Sequence, residues 1–344
     1  MRVFCTHISG SGAKEYLAEV KALATSKGRQ LEIISLGPRI VKEAARHERE
    51  GFNPYNILNI PDKTRARDRS TVFERLLPKL SKLENVIIES HAQFLWNKEF
   101  TLAFDGSHLR RLNPDMLVTI VDDPKDIAAR LRVDPQWRDQ ELSFNDIERW
   151  QQVEVNDTAR MAEMCGELGS EREEEELHYI LPKPHYILPR KCSPTTLYKL
   201  LFHPEFELAY FSYPIGYIEE NFAQRINRFA EKLQEYFALI VPWRLDLSDK
   251  ELSQEDQLRA AAKRDLCWFV EKCKMVILNF PKPVTSFGVA SEIVRGCEGT
   301  KDVLGIFPKR FKHSFELRFI TKRFYSEQAF FDYLHETGYK PKQI

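Results

Sequence analysis

The 344-residue chain carries no net charge, with 51 Lys and Arg against 51 Asp and Glu. Such a balance argues against nucleic acid as an obligate partner, although a local basic patch stays compatible with it. No apolar run approaches the roughly 20 residues a helix needs to cross a bilayer, so no membrane partner is expected. The six cysteines, Cys5, Cys165, Cys192, Cys267, Cys273 and Cys297, contain no C-x-x-C pair. They read as reduced thiols rather than a disulfide or zinc framework. The nine histidines form no H-E-x-x-H pattern, and no metal site is expected. Met1 to Cys5 gives way at once to polar residues, which reads as a first strand and not as the apolar core of an export signal. The expected location is cytoplasmic.

What the chain has is length and alternation. At 344 residues and 43% apolar, it is long enough for about two domains with full cores. Short apolar runs alternate with amphipathic stretches throughout. This predicts an α/β fold: two parallel-sheet, three-layer domains in tandem, residues 1–189 and 190–344. Strands are expected at Arg2–Thr6, 31–36, Val86–Ala92 and Met116–Val121. In the second half they are expected at Leu208–Ser212, Ala238–Pro242, Met275–Phe280, Val303–Phe307 and Phe315–Ile320. Between the halves lie an acidic, solvated run, Glu171–Glu176, and an echoed pentapeptide, His178–Pro182 and His185–Pro189. The first copy reads as the last strand of domain one, and the second as an arm crossing to domain two.

The stretch Arg264–Cys297 organises the second half. Asp265 opens an apolar helix-like run. Met275–Phe280 reads as a strand buried on both faces. A Pro-bearing turn then leads to Ser286, Gly288 and Glu292 at the start of another helix. Ligands of open α/β sheets sit beyond the carboxyl ends of the strands, where these three residues fall. A carboxylate near a helix N-terminus is expected to be held ionised by the helix dipole, as attack on an anomeric carbon requires. The same residues also read as ordinary structure, with Ser286 an N-cap, Gly288 a turn residue and Glu292 a first-turn acid.

This pattern resembles the nucleoside 2-deoxyribosyltransferases and their relatives that cleave the N-glycosidic bond of deoxynucleoside 5'-monophosphates. Asp265-Leu266, the strand Met275–Phe280, Ser286-x-Gly288-x-x-x-Glu292 and the opening Tyr210-Phe-Ser212 stand in that family's order. The resemblance implies a Rossmannoid domain in which Glu292 is the nucleophile that takes the sugar. Asp265 would orient the sugar or help the leaving base. Tyr210 and Ser212 would line the pocket, and Ser286 and Gly288 would hold the sugar or its 5'-phosphate. It also implies a nucleoside or nucleotide substrate, no cofactor for that reaction, and a homo-oligomer in which a neighbouring subunit completes the pocket. The chain departs from the family at Cys273, where a second Asp is usual.

In the first half a strand runs into His7-Ile-Ser-Gly10-Ser-Gly12-Ala-Lys14-Glu15 and a helix. A Gly-rich turn with a Lys before a helix suggests a phosphate cradle. Glu15 stands where a Mg²⁺-binding hydroxyl is usual. Later come Glu89-Ser-His91-Ala92, Asp123-Pro124, a helix with Arg130 and Arg132, and then Arg138. This order resembles the archaeal-type adenylate kinases, P-loop nucleoside monophosphate kinases, with a degenerate P-loop. It implies nucleotide binding, with ATP and Mg²⁺ as ligands, by Gly10, Gly12, Lys14, Arg130 and Arg138. Arg65, Arg67 and Arg69 read as a surface charge run or a monophosphate site, and His91 as a satisfied core histidine. Three readings stay open: N-glycosidic chemistry at Glu292, nucleotide binding without turnover, and a working kinase.

Overall fold

Apolar runs too short for a helix become buried parallel strands in both halves of the chain. The computed structural model describes residues 1–47, 52–170, 178–215, 220–242, 253–280, 284, 286–307, 309 and 316–342. The acidic run Glu171–Glu176, the residues Pro281 and Pro283, and the loop carrying Arg244 and Asp246 lie outside them. The chain divides into two compact units, Met1–Arg190 and Lys191–Ile344.

The first unit has a five-stranded parallel sheet of β1 (Arg2–His7), β2 (Glu32–Ser35), β3 (Val86–Ser90), β6 (Met116–Val121) and β9 (His185–Pro189), in the order β2-β3-β1-β6-β9. Every residue of β3 and β6 is buried. That is the mark of strands covered on both faces, and it is why they read as continuous apolar runs. One face packs Phe4, Ile88 and Leu117 against Val72, Leu76 and Met161. A hairpin of β4 (Gln93–Trp96) and β5 (Glu99–Leu102) and an antiparallel ribbon of β7 (Glu167–Ser170) and β8 (His178–Leu181) complete the strands. The helix Phe144–Met164 begins with a capping box between Ser143 and Asp146, which satisfies two otherwise orphaned N–H groups.

The echoed pentapeptide splits differently from expectation. The first copy pairs with β7, and the second is the last strand of the sheet, pairing Leu117 with His185 through Val121 with Pro189. Identical segments carry identical propensity, so only their partners decide. In the second copy, Thr119 Oγ1 bonds His185 Nε2 at 2.8 Å, and Ile187 and Leu188 are fully buried.

The second unit is a parallel sheet of β10 (Leu208–Ser212), β11 (Ala238–Ile240), β12 (Met275–Asn279), β13 (Asp302–Ile306) and β14 (Lys322–Phe324), ordered β11-β10-β12-β13-β14. Phe211, Ile277 and Ile306 face a core with Phe229, Leu233 and Phe330. The strand expected at Phe315–Ile320 is instead a 3₁₀ turn, Glu316–Phe319, followed by the short edge strand β14. Lys322-Arg-Phe324 is too polar to announce itself, because an edge strand is only partly covered.

At Gly10 the backbone has φ +77°, and an added Cβ would lie 3.0 Å from Leu131 Cδ2 and 3.2 Å from the Ile127 carbonyl oxygen. Gly288 lies outside the left-handed region, with no atom within 4 Å of such a Cβ. Gly10→Ala is therefore expected to lower unfolding free energy by about 2 kcal/mol. Gly288→Ala is expected to stay within about 0.5 kcal/mol of the parent. Urea denaturation of the two variants checks both.

Candidate functional site

In the second unit the chain leaves β10 for β11 on one side and returns to β12 on the other. This places the topological switch point, the usual ligand crevice of an open sheet, between β10 and β12. Tyr210 and Ser212, two residues apart on β10, point to the same face. The helix Phe287–Glu298 packs over β12 and β13 and delivers Glu292 from its second turn. Tyr210 Oη donates to Glu292 Oε1 at 2.8 Å, and Ser212 Oγ donates to Oε2. Tyr210 and Ser212 are fully buried, and Glu292 is 8% exposed.

Asp265 sits in a π-helical turn, Arg264–Val270, that continues the helix Gln254–Lys263. Its carboxylate is gripped by Arg264, Nε to Oδ1 at 2.8 Å and Nη2 to Oδ2 at 3.0 Å. Burial pushes the Glu292 carboxyl up to about 8, and the Asp265 charge adds to this. The Ser212 and Tyr210 hydroxyls pull the other way without winning. Burial also raises Asp265, with Arg264 opposing. Burial and the negative charge of Glu292 raise the Tyr210 phenol well above its usual range, so it stays a neutral donor.

Glu292 is thus not the ionised first-turn acid expected from helix position. It is the sixth residue of its helix, beyond the first turn where dipole stabilisation acts, and desolvation dominates. Ser286 is the N-cap, its Oγ accepting from Val289 N at 3.5 Å. Gly288 is exposed. The structure therefore joins Glu292, Tyr210 and Ser212 by direct hydrogen bonds and couples Asp265 to them by charge. It leaves Ser286 and Gly288 in the first turn of the helix. Arg264 was not foreseen. Its long side chain folds back onto the neighbouring carboxylate, as Arg67 does onto Asp68 in the first unit.

In the first unit a cavity of about 1030 Å³ opens where β1 runs into the Gly-rich turn. Its lining includes Gly10, Gly12, Lys14, Glu15, Arg65, Arg69, His91 and Arg130, with Phe94, Phe100 and Trp137 as aromatic wall. Gly10 and Gly12 adopt φ +77° and +74°. Arg130 ties the turn down, Nη1 donating to the Gly10 carbonyl at 2.7 Å and Nη2 pairing with Asp122 Oδ2 at 2.8 Å. Arg65 and Arg69, one helical turn apart, both reach the lining, while Arg67 pairs with Asp68. Arg138 does not join the cavity. It opens a 3₁₀ turn and is 60% exposed beside Asp139, while its neighbour Trp137 is buried in the wall.

Below the turn, His7 Nε2 donates to Glu89 Oε1 at 2.7 Å. Burial alone would raise the Glu89 carboxyl, but the His7 hydrogen bond and charge hold it down at about 2. His91 Nδ1 donates to the His7 carbonyl. Burial, with the charge on His7, pushes His91 down to about 3, so its Nε2 remains an acceptor. Among the described residues, no group of three or more His, Cys, Asp or Glu could hold a metal ion, and no helix is long and apolar enough to cross a membrane.

Compared with known proteins, the chain matches no family model and no curated sequence.

A carboxyl whose folded value exceeds its unfolded one binds more protons when folded, so stability declines with pH across the interval between the two. For Glu292 that interval runs from the ordinary 4.5 to about 8. Glu292→Gln is expected to flatten this decline. Above pH 8 it should be more stable than the parent by a few kcal/mol, on the order of the linkage limit. Unfolding curves from pH 5 to 9 check it. Parallel pH profiles for parent and variant would overturn the assignment.

Proposed function

We propose that the second unit cleaves or transfers the N-glycosidic bond of a nucleoside or nucleotide, with Glu292 as nucleophile. The observation that carries this reading is a buried carboxyl group at the switch point of a parallel sheet, with both oxygens met by hydroxyl donors. The resemblance of Asp265-Leu266 and Ser286-x-Gly288-x-x-x-Glu292 to the deoxyribosyltransferases supports the same reading.

In this mechanism a Glu292 oxygen forms a bond to C1' as the C1'–N bond breaks, and the electron pair leaves with the base. The base takes a proton from solvent or a nearby acid. Water, or a second base, then displaces Glu292 from C1'. The chemistry suits a desolvated carboxylate. Its anion is disfavoured when the site is empty and favoured when positive charge develops on the sugar, so stabilisation concentrates in the transition state. Tyr210 and Ser212 hold the carboxyl in place, and Asp265 adds negative charge beside the developing oxocarbenium ion.

The first unit supports a second role through its own cavity. Gly10, Gly12, Lys14 and Arg130 form a cradle for nucleotide phosphates, and the aromatic wall suits a base. Bound there, ATP would meet Lys14, with Glu15 as the nearby carboxylate for Mg²⁺. Since Glu15 replaces the usual hydroxyl, binding without phosphoryl transfer is the reading favoured here.

Incubation with deoxynucleoside monophosphates, nucleosides and NAD is expected to release free base. Glu292→Ala is expected to lower that release by about a thousandfold or more. Because the nucleophile must lose its proton, kcat/KM should rise with pH through about 8 and level off above it. No base release from any substrate, or full activity in Glu292→Ala, removes the proposal. For the first unit, ATP should raise the melting temperature of the parent but not of Lys14→Ala. ATP-plus-AMP turnover abolished in Lys14→Ala would replace binding with kinase activity.

A further inference from the structure

On the first unit, a groove of about 280 Å³ runs between the helices Leu36–His47 and Asp62–Leu80. Its lining is Arg39, Lys42 and Arg46 from one helix, Arg75 and Lys79 from the other, and a single acid, Glu43, over a floor of Val72 and Leu76. The spacing explains the convergence. Residues 39, 42 and 46 follow i, i+3, i+7 on one face, and 75 and 79 follow i, i+4 on the other. Glu43 is buried and already committed, its Oε2 accepting from Arg46 Nη1 at 2.7 Å and also from Arg75 Nη1. The Arg39, Lys42 and Lys79 side chains are exposed, and among the described residues they make no hydrogen bond or ion pair.

The groove is separate from the Gly-rich cavity. Ile40 and Val41 line the cavity, whereas Arg39, Lys42 and Arg46 line the groove, so two faces of one helix serve two sites. The lining contains no aromatic ring, and thus no platform for stacking a base. Its volume lies below the ~300–1,000 Å³ usual for drug-sized ligands. Five cations closing on one neutralised acid repel one another until an anion enters. Guanidinium and ammonium groups together suit phosphate oxygens, through charge-assisted hydrogen bonds from both rims.

We infer that this groove is a binding site for a compact, multiply charged phosphate anion carrying no aromatic base, recognised by Arg39, Lys42, Arg46, Arg75 and Lys79. Occupancy would clamp the two helices together. Arg65 and Arg69 on the second helix also line the Gly-rich cavity, so an anion in the groove bears on the cavity wall.

The test is calorimetric titration of the full chain with inorganic tripolyphosphate at low salt, without divalent cations. Four proteins are compared: the parent, Lys14→Ala, the triple variant Arg39→Ala/Lys42→Ala/Lys79→Ala, and the combination of all four changes. The three groove side chains are exposed and, among the described residues, unpaired, so melting curves without ligand should match the parent and confirm folding. Lys14→Ala weakens phosphate binding at the loop and isolates the groove. Expected is saturable binding in Lys14→Ala that weakens about tenfold or more when the groove changes are added. Base release, if present in the parent, should be unchanged in the triple variant. Binding that vanishes with Lys14→Ala alone would place all phosphate recognition at the loop and overturn the inference. So would no saturable binding by the parent. A groove that ignores tripolyphosphate but binds duplex or single-stranded RNA oligomers, lost in the triple variant, would replace the small anion with a nucleic-acid backbone.

Discussion

The second unit turns on one conflict, between removing a carboxyl group from water and giving it enough hydrogen bonds to remain there. A parallel sheet covered on both faces has no dry interior place for a charge. The carboxyl ends of the strands, where backbone direction and helix entry open a crevice, are where such a group can be tolerated. Glu292 occupies that place, and two hydroxyl donors on β10 meet its oxygens. The donors lower the cost of the anion without abolishing it, and Asp265 raises it again. The result is an acid poised to give up its proton when positive charge appears nearby. That links an energetic liability of the fold to the chemistry proposed for it.

The first unit handles the same difficulty with neutralisation. Glu89, one of its buried carboxylates, has an imidazole directly on it and stays ionised, whereas Glu292 has only neutral donors in direct contact. Arg130 spends its two terminal nitrogens on the Gly10 carbonyl and Asp122. It therefore acts as a brace for the turn, and in the proposed nucleotide site its charge would reach phosphate from that braced position. His91 is at once a satisfied histidine, through Nδ1 and the His7 carbonyl, and a cavity residue.

The strands were largely readable because continuous apolar runs survive only where both faces are covered. β6 and β12 lie where the residues point, to within one position. The edge strand β14 was misplaced because half-covered backbone imposes little on composition. The doubled pentapeptide was misassigned, its second copy and not its first closing the sheet, because propensity cannot distinguish two equal copies. At the sites, residue identity was readable and electrostatics was not. Ser, Gly and Glu spacing pointed to the helix that carries Glu292, but its position in the second turn and its burial reversed the charge state expected from the helix dipole. Arg138 followed the expected order of arginines, yet its neighbour Trp137 holds the buried place in the wall and Arg138 stays exposed.

Residue pattern alone thus determined the alternation of helix and strand, the two-part division and the acidic residue at the centre of the second half. These depend on local periodicity and composition, which the chain carries before it folds. Tertiary structure decided which copy of a repeat joined the sheet, which arginines lined a cavity and which way each carboxyl titrates. Those outcomes depend on burial and on partners distant in the chain, Tyr210 with Glu292 and His7 with Glu89 among them. Desolvation is a property of the surrounding fold and is written in no single stretch of residues.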